Sequence, residues 1–71
     1  MAVTAAEIQL SWLVERMQTQ AQHAESQAAH YRVLASAHEP LSVANLTFSV
    51  EAGCRESEAI SLRQMLAVIA P

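Results

Sequence analysis

Lysine is missing altogether. The four cations are Arg16, Arg32, Arg55 and Arg63, scattered one at a time along a chain with seven acidic residues and a formal net charge of -3 at pH 7. Without a basic stripe to meet phosphates, nucleic acid is not expected as a partner. There is one cysteine, Cys54, so an intramolecular disulfide is excluded and a reducing cytosol is the easier setting. Its thiol is expected to face the core as a small apolar group. Gly53 is the single glycine, and aromatic and β-branched residues are sparse, which favours helix over sheet. Long apolar runs are absent too: the longest, Met65 to Ala70, falls far short of the roughly 20 residues that span a bilayer. No N-terminal stretch joins basic residues to an apolar core. The protein is expected to carry no membrane span or leader and to stay in the cytoplasm.

What the chain does have is alanine, glutamine, serine and glutamate in helical rhythm. Thr4 and Glu7 fit a capping box, with Val3 and Ile8 at the staple positions beside it. From there apolar or small residues recur in alternating steps of four and three at Leu10, Val14, Met17, Ala21, Ala24, Ala28, Tyr31 and Ala35, the spacing of a coiled-coil seam. The rhythm predicts a helix over about 4–37, roughly 50 Å long. His38-Glu39-Pro40-Leu41-Ser42 then breaks it, because Pro40 disfavours the α conformation at Glu39 while Ser42 can cap a new helix. That second helix is predicted over about 43–69.

These features place the whole chain, 1–71, in one all-α domain, a two-helix antiparallel hairpin with a turn at about 38–42. Val43, Leu46, Val50, Gly53, Ser57, Ile60, Gln64 and Ala67 form the expected seam of the second helix. Folding at the break would bring Tyr31 near Val50, Ala28 near Gly53, Ala24 near Ser57 and Ala21 near Ile60. Phe48, Ala59, Leu62, Leu66 and Ile69 compete for the same role from roughly the opposite face. Whichever stripe closes the hairpin, apolar surface is left over near the termini. A chain of 71 residues must offset an ordering cost of roughly 1.5 kcal/mol per residue, so dimerisation or a partner is expected to complete the core.

Nothing in the sequence resembles a catalytic or metal site, and neither an enzyme nor a cofactor is expected. His23, His30 and His38 are spaced by seven and eight, whereas two ligands on one helix must lie three or four residues apart. Cys54 and Glu58 are one turn apart but have no third ligand near them in sequence. Glu51 and Arg55 stand in the i,i+4 order that supports an exposed helix. No serine has a base and a third group to activate it. Trp12 stands off the main seam, where it would either anchor an interface or fold over the Ala67 to Ala70 end. The expected partner-binding set is Ile8, Trp12, Phe48, Leu62, Met65, Leu66 and Ile69, with Leu62, Leu66 and Ile69 as an i,i+4,i+7 anchor row.

Leu46-Thr47-Phe48-Ser49-Val50-Glu51-Ala52 followed by Glu58-Ala59-Ile60, together with the long first helix and the proline-containing break, resembles the small helical-hairpin co-chaperones of bacterial type III secretion, the YscE, SsaE and EscE type. The resemblance covers nearly the whole chain. It implies a cytoplasmic protein that pairs with a TPR-like chaperone and, through it, helps keep a secreted needle or translocator subunit soluble before export. It carries no catalytic residue. Glu39-Pro40-Leu41-Ser42-Val43 with Phe48 and Val50 also resembles the turn and second helix of needle subunits, so a structural needle or inner-rod subunit is the alternative. A stand-alone helical dimerisation module fits the heptads as well.

Overall fold

The computed structural model describes residues 4–69. It is an antiparallel hairpin of α1, Ala5–Ser36, and α2, Val43–Ile69, drawn out to 60 × 16 × 14 Å. The capping box starts α1: the Glu7 amide donates to Thr4 Oγ1 at 3.1 Å, and the Thr4 amide donates to Glu7 Oε2 at 3.4 Å. Two of the otherwise unpaired donors of the first turn are thereby satisfied. Val3, the other half of the expected staple, lies outside the described residues, as do Ala70 and Pro71.

The reversal is built from a few polar contacts. The Ala37 amide closes α1 onto the Val33 and Leu34 carbonyls, both at 3.2 Å. The Ser42 amide then donates to the Glu39 carbonyl at 3.1 Å, with Pro40 second in this turn and Leu41 third at φ 64°, the pattern of a type II turn. Ser42 Oγ accepts from the Asn45 amide at 3.2 Å and so caps α2. The Asn45 side chain ties the two helices together: its Oδ1 accepts from the Leu41 amide at 3.3 Å, and its Nδ2 donates to the Ala35 carbonyl at 2.8 Å. One asparagine thus holds the turn, starts α2 and satisfies an end carbonyl of α1.

The contacts between the helices together set the register. Phe48 stacks on Tyr31 at 6.2 Å and on His38 at 5.6 Å, so it lies between them, level with Ala35. Stepping outward by sevens from Ala35 and Phe48 puts Ala28 level with Arg55, Ala21 with Leu62, and Val14 with Ile69. The alternate layers put Tyr31 level with Ala52, Ala24 with Ala59, and Met17 with Leu66. The buried residues Met17, Ala21, Ala24, Ala28, Ala35, Ala52, Ala59 and Leu66 all fall in these layers. Alanine facing alanine lets two helices approach closely, so the middle of the hairpin is held by dispersion between backbones and methyl groups rather than by bulky side chains.

On α1 the structure covers Met17, Ala21, Ala24 and Ala28, half-buries Val14 and Tyr31, and leaves Leu10 exposed. On α2 it corrects the expected seam. Val43, Leu46, Val50, Ser57, Ile60, Gln64 and Ala67 are exposed, and Gly53 is half-buried. The competing stripe closes the hairpin instead. Turning it inward covers Phe48, Leu62 and Leu66, each worth about 1.5–3 kcal/mol when fully buried. The other stripe would have buried the hydroxyl of Ser57 and the amide of Gln64 with no assigned partner. A Cβ added at Gly53 would meet nothing within 4 Å, so no close approach of Ala28 requires glycine there.

Candidate docking surfaces

Each large apolar residue outside the seam was a candidate anchor, and the structure divides them. Phe48 is spent inside the hairpin: it is half-buried and stacks on Tyr31 and on the ring of His38, 5.6 Å away. Leu62 is half-buried and Leu66 is 7% exposed, so both close the hairpin rather than offer a docking row. The i,i+4,i+7 spacing that suggested an anchor row is equally the spacing of a seam, and two of its three members face α1.

What remains collects at the open end. Ile8 and Trp12 are about 60% exposed, Met65 47% and Ile69 37%. Leu10, Leu13 and Val68 are exposed beside them, although none of these three belonged to the expected set outside the seam. Trp12 does not complete the core; the guanidinium of Arg16, one turn on, stands 5.2 Å from its ring centre. A cation over an indole face is worth about 0.5–1 kcal/mol at an exposed site. Because Ile69 is level with Val14, the first two turns of α1 overhang the described end of α2. Ile8 projects from that overhang, where the described part of α2 does not reach.

A second surface lies mid-rod, and sequence reading missed it. Arg32 forms a two-pronged pair with Glu56, Nε to Oε1 at 2.8 Å and Nη2 to Oε2 at 3.0 Å. Further toward the open end, Arg63 Nε and Nη2 both reach Glu25 Oε1 at 2.8 Å. Both pairs cross from α1 to α2 on one side of the seam. Between them runs an open groove of about 820 Å³ whose apolar lining is Ala28, Ala29, Ala59, Ile60 and Ala67. The hydrogen bonds from Arg32 hold the Glu56 carboxyl below the usual glutamate value, and the same bonds raise the Arg32 guanidinium. The signal was present in the sequence as two opposite-charge pairs at matched heptad spacing, Glu25 with Arg32 and Arg63 with Glu56, but the register that pairs them was not.

The remaining candidates are solitary. Cys54 is exposed, contrary to the expected core-facing thiol, because choosing the Ala52 and Ala59 face turns residue 54 outward. Arg55 pairs with Glu58 at 2.9 Å rather than with Glu51; the Glu58 side chain leans back along the helix toward it. The aliphatic stem of Arg55 lies in the seam opposite small Ala28, and its Nε is buried without a hydrogen-bond partner. His23 and His30 are exposed, and His38 is occupied by Phe48. Among the described residues no three His, Cys, Asp or Glu side chains converge as metal ligands, and no helix is long and apolar enough to cross a membrane.

Comparison with family models, with curated proteins and with solved structures returned no match. Function therefore rests on the surfaces themselves.

Proposed function

We propose that the protein is a small non-enzymatic co-chaperone of a bacterial type III secretion system, acting in the cytoplasm. In this reading it docks onto a TPR-like chaperone and helps keep a needle or translocator subunit soluble before export. The observation that supports docking is the open end: Ile8, Trp12, Met65 and Ile69 are exposed large apolar side chains at one tip of a narrow rod. Exposed apolar side chains gathered toward one end can serve as contact sites, and tryptophan is among the residues enriched where binding energy is concentrated. The resemblance of the hairpin and its proline-containing break to the secretion co-chaperones supports the choice of partner.

The docking set is now Ile8, Trp12, Met65 and Ile69, without Phe48, Leu62 and Leu66. Co-expression with a helical-repeat chaperone of the same secretion system, followed by pull-down, tests it. Trp12→Glu with Met65→Glu should leave the helical circular dichroism intact and abolish recovery of the chaperone, since desolvating two charges in an apolar contact costs several kcal/mol. Undiminished recovery refutes this docking surface. Assembly of the isolated protein into filaments would favour the needle or inner-rod reading instead.

A further inference from the structure

The charges around the mid-rod groove alternate in two directions. Going toward the turn, α1 presents Glu25 and then Arg32, while α2 presents Arg63 and then Glu56. Seven residues separate the charges on each helix, about 10 Å. Such a pattern complements itself after a half-turn about an axis lying in the groove face, whether the axis runs along the hairpin or across it. Two-fold pairing of identical patches is the commonest closed assembly.

Apolarity chooses between the two axes. On the groove side of α2, Leu46, Gly53, Ile60 and Ala67 recur every seven residues; Leu46 and Ile60 are 47% and 58% exposed. The matching row on α1 is Glu15, Gln22, Ala29 and Ser36, mostly polar. An axis along the hairpin would lay the apolar row of one copy on the polar row of the other, desolvating carboxylate and amide groups without partners. An axis across it lays α2 on α2, apolar against apolar, and α1 on α1, where the polar row meets polar groups that can partner it.

We propose that two copies of this chain pair groove to groove and antiparallel, α2 against α2. Ile60 sits beside the two-fold axis, Arg32 of each copy faces Glu25 of the other, and Glu56 faces Arg63 of the other. None of Ile8, Trp12, Met65 and Ile69 lines the groove. The pairing uses a different surface from the proposed co-chaperone docking, and either can fail alone.

Sedimentation of the full chain over a range of concentration and salt tests the pairing. A reversible dimer is expected at low salt, weakening as salt screens the charges. Ile60→Glu, at an exposed position, should give a monomer of unchanged helicity. Glu25→Arg with Arg63→Glu keeps opposite charges paired within the hairpin but sets like charges across the axis. It should weaken the dimer about tenfold or more, as should Arg32→Glu with Glu56→Arg. Mixing the two exchanged proteins should restore pairing as a heterodimer. A chain that stays monomeric at low salt, an Ile60→Glu dimer as tight as the parent's, or a mixture that pairs no better than its components overturns the proposal.

Discussion

The two ends of the rod solve the same problem in opposite ways. At the turn, Asn45 bonds to Leu41 and Ala35, Ser42 caps α2, and Phe48 lies between Tyr31 and His38. Its polar groups are matched and its aromatic rings stacked within the chain. At the open end the seam runs out after Leu66, and Ile8, Leu10, Trp12, Leu13, Met65 and Val68 remain exposed. The difference lies in the ties and not in exposed apolar area, since Leu41, Val43, Leu46 and Val50 are exposed at the turn end as well. The turn end draws its large ring, Phe48, into the hairpin, and the open end leaves its own, Trp12, outside.

The comparison breaks first at Leu66. It is the last buried layer, so Leu66→Ala should cost about 2–5 kcal/mol, read as a lower urea midpoint. A loss below about 0.5 kcal/mol would mean that closure stops earlier, at Ala21 and Leu62. Asn45→Ala probes the turn end and should cost about 1–2 kcal/mol, because it removes a tie between helices and leaves the Ala35 carbonyl without that donor. Gly53→Ala lies between the ends, with open space around the added methyl. It should stabilise by about 0.5–1 kcal/mol, and destabilisation would place a neighbour at Gly53 after all. Trp12→Ala should change the stability of the lone hairpin by less than about 0.5 kcal/mol, in contrast to its effect on partner recovery.

A smaller, pH-dependent effect sharpens the picture of the groove. The folded Glu56 carboxyl is held below its ordinary value by hydrogen bonds from Arg32. Its stabilisation is therefore fully present above the unfolded glutamate value and disappears as pH falls through the lower, folded one. Thermal melts of the parent and of Glu56→Gln should differ at neutral pH and converge in acid. Both partners are about half exposed, so the gap is small and shrinks with salt.

Much of this architecture was legible in the residues alone. Proline after a long uninterrupted heptad pattern marked the turn, and the Thr4–Glu7 spacing marked the start of α1, because both are local chemistry. The small residues from Ala21 to Ala28 marked one face of α1 because no rival stripe exists there. The face of α2 was not legible in the same way. It carries two apolar stripes of similar weight, and the tie is settled by contacts across the hairpin: Asn45 to Ala35, Arg32 to Glu56, Arg63 to Glu25. The docking set shifted for the same reason, since Leu62 and Leu66 could be taken for surface only while Ile60 was taken for seam.

The register is the claim on which both surfaces depend, and cross-linking reads it directly. In a Cys54→Ser background, cysteines placed at Ala24 and Ala59 occupy one layer, where facing Cβ atoms should come close enough for a disulfide. Cysteines at Ala24 and Ile60 do not, because residue 60 turns into the groove. Under mild oxidation of dilute protein, the first pair should close within the chain and the second should stay reduced. Rapid intramolecular closure of the Ala24–Ile60 pair, with the Ala24–Ala59 pair left open, would contradict the account.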